Sequence, residues 1–178
     1  MNPHNEQLER LAKGNTRFIS KNDGIIQRHL DGQKPFAAIL TCSDSRVPPE
    51  LIFDVSIGEI FVVRDAGNIA LGASIIGSLE YAVEHLHVPL LVVLGHTRCG
   101  AMFAAEAGPG DSTSIGEIVN DIRCCFRREK DHIRANVKMQ IEHLLEKSPV
   151  IASETEKGKL EVRGAVYHIE DGSVEFLD

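Results

Sequence analysis

The sequence predicts an α/β fold in which a mostly parallel β-sheet is flanked by helices. Three apolar runs, 36–40, 60–64 and 89–95, lack the polar alternation of a strand with one face in water. Continuous apolar runs are typical of parallel strands that are buried on both faces. The segment 71–88 between the second and third runs has helical length and periodicity, so the order along the chain is strand, helix, strand.

Two further segments have helical patterns. Residues 4–20 carry apolar side chains at a loose helical spacing, which predicts an amphipathic N-terminal helix able to pack on a partner. Residues 113–147 predict a long helix that opens with a capping box between Ser114 and Glu117. Helical segments are therefore expected along the chain both before the first predicted strand and after the third.

The C-terminal stretch and the chain length complete the predicted fold. Residues 160–177 alternate apolar and polar side chains around Asp171 and Gly172, a pattern that predicts a β-hairpin. With 178 residues and 43% hydrophobic content, the chain can bury one sizeable core. A single domain over 1–178 is the expectation.

Charge and composition exclude several function classes. The formal net charge is −7 and no basic stripe offsets it, which argues against a nucleic acid or an anionic membrane as partner. No apolar stretch approaches the roughly 20 residues of a membrane span, and the polar N-terminus has no signal-peptide core. We expect a cytoplasmic protein whose four cysteines are reduced thiols.

Two polar clusters directly follow predicted strands. Cys42, Asp44 and Arg46 stand at alternate positions after the first strand, a spacing that sends all three side chains to one side. His96 and Cys99 follow the third strand at a probable helix start, where a thiolate is stabilised. The carboxyl ends of parallel strands are where sites are built, so the two clusters can converge.

Two thiols and one imidazole form a ligand set suited to zinc. Cys42, His96 and Cys99 supply three protein ligands and leave one position open. The fourth ligand is either water, which makes a catalytic site, or Asp44, which makes a closed one. Cys124 and Cys125 lack an obvious third ligand nearby, and ordinary packing is expected for both.

The ordered motifs resemble the β-class carbonic anhydrases. The resemblance rests on "CSDSR" at 42–46, "FVVRDAGN" at 61–68, "SLEYAVEHL" at 78–86 and "HTRCG" at 96–100, and it is dense from about Gly32 to Ala101. It implies reversible hydration of CO2 to bicarbonate and a proton, on a parallel-sheet α/β fold flanked by helices.

The resemblance also implies roles for individual residues. Cys42, His96 and Cys99 are expected to bind one zinc ion per chain. Asp44 and Arg46 are expected to form a dyad beside the metal, in which the aspartate accepts a hydrogen bond from water or hydroxide on zinc and the arginine holds it. In one subset of the family the aspartate becomes the fourth ligand and stops catalysis.

The resemblance extends to the substrate pocket and to assembly. Gln33, Phe61 and Tyr81 match a pocket set that is completed across a dimer interface, so a homodimer or higher homo-oligomer is expected. Two alternatives remain open. One is a zinc hydrolase of the same fold acting on CS2 or COS, and the other is a noncatalytic zinc-binding module with four protein ligands.

Overall fold

The computed structural model describes residues 3–178, apart from the side chains of Pro3 and Asp23. The chain forms two compact units that divide between Gln33 and Lys34, and each is described by itself. The N-terminal unit contains helix α1 (Pro3–Arg28), which confirms the predicted N-terminal helix and extends past its expected end. Its apolar side chains Leu8 and Leu11 are exposed.

The second unit is built on a five-stranded sheet. Its strands are β1 (Ala37–Cys42), β2 (Ile60–Asp65), β3 (Leu90–His96), β4 (Glu161–Tyr167) and β5 (Val174–Leu177). The spatial order is β2-β1-β3-β4-β5. The first four strands are parallel to their neighbours, whereas β5 pairs antiparallel with β4. The predicted α/β class and the C-terminal hairpin are both confirmed.

Helices and short turns connect the strands. The helices of this unit are α2 (Pro49–Ile52), α3 (Ala73–Glu84), α4 (Gly100–Ala107), α5 (Ser114–Arg123), α6 (His132–Lys147) and α7 (Pro149–Glu156). Two 3₁₀ turns cover Ala66–Asn68 and Cys124–Arg127. Among the described residues, no helix is both long enough and apolar enough to cross a bilayer.

The central strand β1 is buried on both faces, and its residues are apolar apart from Thr41. All six residues of β1 are buried. Leu40 packs in one apolar cluster with Leu79 of α3 and Leu144 of α6. Its neighbour Ile39 points to the opposite face and packs there with Val47. Helices therefore cover one face, and the segment that follows β1 covers part of the other.

The predicted long helix over 113–147 is wrong in two respects. It is interrupted by the 3₁₀ turn at Cys124–Arg127, and a new helix begins after Asp131, whose carboxylate accepts hydrogen bonds from the amides of Ile133 and Arg134. Its first cap is Thr113 rather than Ser114, since the Thr113 hydroxyl accepts from the Gly116 amide. A second cap inside the segment divides it, because a capping side chain starts a helix.

Candidate active site

Three buried side chains meet at the carboxyl ends of two adjacent strands. Cys42 is the last residue of β1, His96 is the last residue of β3, and Cys99 is the N-cap of α4. Their potential ligand atoms all lie within 4.8 Å of one another. Of the described His, Cys, Asp and Glu residues, these three form the group that is close enough to hold a metal ion.

The distances and hydrogen bonds of this group fit a zinc ion. The Sγ atoms of Cys42 and Cys99 are 4.0 Å apart. Two sulfurs at about 2.3 Å from a tetrahedral zinc would be separated by about 3.8 Å. His96 Nδ1 lies 2.9 Å from the Thr97 carbonyl, which can only accept, so Nδ1 carries the proton. Nε2 then has a free lone pair and is buried without a hydrogen-bond partner, as expected of a metal ligand.

The contact between the two thiols lowers the pKa of Cys42 and raises the pKa of Cys99. A hydrogen bond from Cys99 is the largest effect that lowers the pKa of Cys42 to about 4, although burial opposes it. The same contact and burial raise the pKa of Cys99. Cys42 is therefore the thiol of the pair that loses its proton first. A divalent cation would favour loss of the second proton, because thiolate is the ligand form.

Asp44 and Arg46 form a two-point ion pair beside this group. Arg46 Nη2 lies 2.6 Å from Asp44 Oδ2, and Arg46 Nε lies 2.9 Å from Oδ1. The backbone amide of Arg46 also donates to Oδ1. These bonds hold the pKa of Asp44 well below its ordinary value. Asp44 is thus ionised and turned toward Arg46, which is the arrangement expected of the dyad, while its role beside a metal stays a prediction.

A second arginine braces the same loop, and sequence analysis did not single it out. Arg64 on β2 donates from Nε to the Cys42 carbonyl at 3.0 Å and from Nη2 to the Asp44 carbonyl at 2.7 Å. A charged residue at the end of an otherwise apolar strand was the available signal. Arg64 thereby ties the loop that carries Asp44 to the neighbouring strand.

The ligand loop between His96 and Cys99 is also held from the far end of the chain. The Glu170 carboxylate accepts from Thr97 Oγ1 at 2.6 Å and from Arg98 Nε at 2.9 Å. Arg98 has a positive φ of 56°, and its carbonyl accepts from Arg46 Nη2 at 3.1 Å. Nothing local in the sequence around 170 indicates this contact.

The predicted substrate residues Phe61 and Tyr81 lie together but away from the three ligands. Their ring centroids are 6.2 Å apart. Phe61 pairs with Ala38, whereas Cys42 pairs with Asp65, four residues further along β2. At roughly 3.3 Å per residue, Phe61 is about 13 Å from the Cys42 end of its own sheet. Gln33, the third predicted residue, belongs to the N-terminal unit.

Comparisons with known proteins all lead to one family. A protein-family model described as carbonic anhydrase matches residues 37–174. The chain is 36% identical to carbonic anhydrase 2 of Mycobacterium tuberculosis, over 94% of this chain and 90% of that protein. It is 34% identical to the carbonic anhydrase of Mycolicibacterium smegmatis, over 93% and 89% of the two chains.

Solved structures agree in fold. The Coccomyxa β-carbonic anhydrase, solved in complex with acetazolamide, superposes with a TM-score of 0.84 at 26% identity, covering 99% of this chain and 87% of that one. A β-carbonic anhydrase of Sordaria macrospora, described as tetrameric, superposes with a TM-score of 0.83 at 24% identity over 99% and 98%. The arrangement of strands and helices is therefore one that β-carbonic anhydrases also have.

Proposed function

The chain belongs to the β-carbonic anhydrase family, and on that premise we propose that it hydrates CO2 reversibly at a zinc ion bound by Cys42, His96 and Cys99. The observation that supports this proposal is the convergence of these three buried side chains, with His96 Nε2 left without a partner. One zinc per chain follows, because the described part of the chain offers this group for a metal ion.

The donor set determines what a bound metal can do. Cys42, His96 and Cys99 would offer a zinc ion two thiolates and one neutral imidazole, and a set of three protein ligands is the pattern of a catalytic zinc site. Zinc, when bound, supplies a Lewis acid that lowers the pKa of water to about 7, a value that holds for the three-histidine class of carbonic anhydrase.

Asp44 and Arg46 supply the polar chemistry beside the ligands. An ionised carboxylate can accept a hydrogen bond and cannot donate one, so Asp44 would orient an incoming O–H group by holding its proton. Arg46 keeps Asp44 ionised and turned toward itself through two parallel hydrogen bonds. We propose that this pair keeps the fourth position free for water, with Asp44 as fourth ligand only in a closed, inactive state.

We further propose that Gln33, Phe61 and Tyr81 line the substrate pocket of a neighbouring subunit. Phe61 lies about 13 Å along β2 from Asp65, the residue that pairs with Cys42, and this distance supports a pocket made from two chains. The tetrameric state of the Sordaria protein supports a homo-oligomer of this chain. The active unit is then at least a dimer.

Zinc content and CO2 hydration measured on one purified sample test the proposed function. The chain should carry one zinc and should hydrate CO2. Cys99→Ala should lose both, whereas Cys124→Ala removes an exposed thiol outside the group and should keep both. Full zinc retention in Cys99→Ala would contradict the ligand assignment.

Parallel assays distinguish the alternatives. CS2 and COS are tested beside CO2 on the same sample, and turnover of CS2 or COS without CO2 hydration would identify a hydrolase of this fold. A zinc protein with neither activity would be the noncatalytic module. The ion pair between Asp44 and Arg46 speaks against that module, because it draws the candidate fourth protein ligand toward Arg46.

A further inference from the structure

Two buried amide side chains on α6 hold the backbone that passes behind the metal-ligand group. Asn136 and Gln140 are four residues apart, so they lie one above the other on the same face of the helix. Both are essentially inaccessible to solvent, at 2% and 0% exposure. Buried amide groups are normally hydrogen-bonded, and these two bond to the loop that follows β2.

The hydrogen bonds to this loop fix the orientation of both amides. Asn136 Nδ2 donates to the Gly67 carbonyl at 2.9 Å, and Gln140 Oε1 accepts from the Ala70 amide at 2.7 Å. Gln140 Nε2 donates to Asn136 Oδ1 at 3.1 Å and to Asp121 Oδ2 at 2.7 Å. Every polar atom of the two side chains has a partner of the opposite kind, so neither amide can be reversed without loss.

The loop needs such support because its backbone is unusual. Gly67 and Asn68 have successive positive φ angles of 78° and 50°, a left-handed conformation that glycine adopts freely and that asparagine tolerates better than most other L-residues. A Cβ on Gly67 would lie 2.6 Å from the Ile122 side chain, so the turn is also tightly enclosed. Contacts from outside the loop therefore have to maintain this turn.

The same turn donates to a proposed metal ligand. The Gly67 amide lies 3.3 Å from Cys42 Sγ, and the Asp44 amide lies 3.4 Å from the same sulfur. A hydrogen bond to a thiolate withdraws electron density from sulfur, so its presence and direction tune how strongly the sulfur binds a metal. Asn136 and Gln140 act on that sulfur only through the Gly67 turn.

We propose that Asn136 and Gln140 are positioning residues of the metal centre. They fix the position of the Gly67 amide, from which the Cys42 sulfur accepts a hydrogen bond. This inference rests on the proposed function, since it concerns a metal bound by Cys42. It assigns a role to a helix that contributes no ligand. Through these hydrogen bonds, the position of α6 affects how strongly the Cys42 sulfur would donate electrons to a bound metal.

The test replaces Asn136 and reads the metal centre itself. Cobalt substituted for zinc gives a sulfur-to-cobalt charge-transfer band whose energy depends on the hydrogen bonds to sulfur. In Asn136→Ala the band should move to longer wavelength, because a misplaced Gly67 amide leaves the sulfur more electron-rich. Zinc release to a chelator should become about tenfold faster, because a more electron-rich thiolate is protonated more readily and only the deprotonated form binds the metal. Tenfold is the lower end of the effect of removing an outer contact of a metal ligand.

Ser148→Ala is the matched control. Ser148 is also fully buried, and its hydroxyl makes two hydrogen bonds, one to Glu80 and one from the Ile151 amide. It is the residue that directly follows the C-terminal end of α6. Its loss should lower the urea midpoint of unfolding without moving the cobalt band or the zinc release rate. A lowered midpoint alone therefore does not mimic the expected result.

A second variant guards against failure to fold. Asn136→Ser keeps a polar group that can bond within the helix but is too short to reach the Gly67 carbonyl, and it should show the same band shift. An unchanged band and release rate in a folded Asn136 variant would overturn the inference while the proposed function stands. Wild-type protein that binds neither cobalt nor zinc would contradict the proposed function, and this inference with it.

Discussion

Arg46 holds the Asp44 carboxylate at two points, with Nη2 2.6 Å from Oδ2 and Nε 2.9 Å from Oδ1. The arginine is itself held by the Arg98 carbonyl at 3.1 Å, in the loop between His96 and Cys99. The orientation of Asp44 is thereby coupled to the same loop that carries two of the three proposed ligands. The ion pair can therefore be tested by replacing either Asp44 or Arg46.

Asp44→Asn should retain zinc and lose about a hundredfold in CO2 hydration, because an amide can donate where the carboxylate only accepts. Arg46→Ala should free Asp44 to reach the metal, which also lowers activity. Arg163→Ala is the matched control, since Arg163 pairs with Glu161 two residues away on β4, remote from the ligands. It should hydrate CO2 at the wild-type rate.

Zinc-edge absorption spectra report the resting state of Asp44 directly. At about pH 7 and about pH 9, which straddle the expected titration of water on zinc, the wild type should show two sulfurs, one nitrogen and a non-carboxylate oxygen. In Arg46→Ala a carboxylate oxygen should appear. A carboxylate ligand in the wild type at the lower pH, lost at the higher pH, would show that the closed state is the default.

The Asp44 carboxyl should stay ionised at pH values where ordinary aspartates protonate. Hydrogen bonds from the Arg46 side chain, then from its backbone amide, hold the pKa of Asp44 below its ordinary 3.8. Because the folded pKa is the lower one, the pair contributes stability above about pH 4, and that contribution is lost as pH falls below it. Carboxyl carbon NMR from about pH 7 to about pH 3 checks this, with Asp44→Asn identifying the resonance. A midpoint near 4 would contradict the ion pair.

Glu170→Gln should loosen the ligand loop from outside. The carboxylate bonds both Thr97 and Arg98, and an amide would lose the charge that faces the guanidinium. We expect zinc release to a chelator to quicken about threefold, a small effect because the pair is partly exposed. Asp171→Asn alters the neighbouring turn contact to Ser173 and should leave release unchanged. If zinc release became equally faster in both variants, the turn and not the Glu170 contact would be responsible.

A pocket shared between subunits predicts complementation between two inactive chains. A Cys99→Ala chain lacks metal but keeps Tyr81, and a Tyr81→Ala chain keeps metal but lacks the ring. Co-expressed at equal amounts, they should restore about a quarter of the wild-type sites, since half the dimers are mixed and each has one complete site. Sedimentation should find at least a dimer at assay concentration. An active monomer would refute the shared pocket.

The sequence was sufficient for the elements whose pattern is local. The runs at 36–40, 60–64 and 89–95 became parallel strands, as continuous apolar runs predict. The central strands β1 and β3 are buried, whereas β2 lies at the edge of the sheet and is only half-buried. The meeting of Cys42 with His96 and Cys99 followed from the same argument, since parallel strands bring their carboxyl ends to one edge. Motif and periodicity together were enough for class, family and candidate ligands.

Tertiary structure decided what depends on partners distant in sequence. Glu170 reaches Thr97 only because β4 lies beside β3, and Asn136 bonds Gly67 only because α6 docks on the sheet. In the sequence these are ordinary polar residues of a turn and a helix. Asp44 had two possible roles, and the fold placed Arg46 against it. Local sequence patterns specify the periodicity of an element and which of its faces are polar. The partner of a buried polar group is decided by which elements pack together, because its hydrogen bonds must be satisfied within that packing.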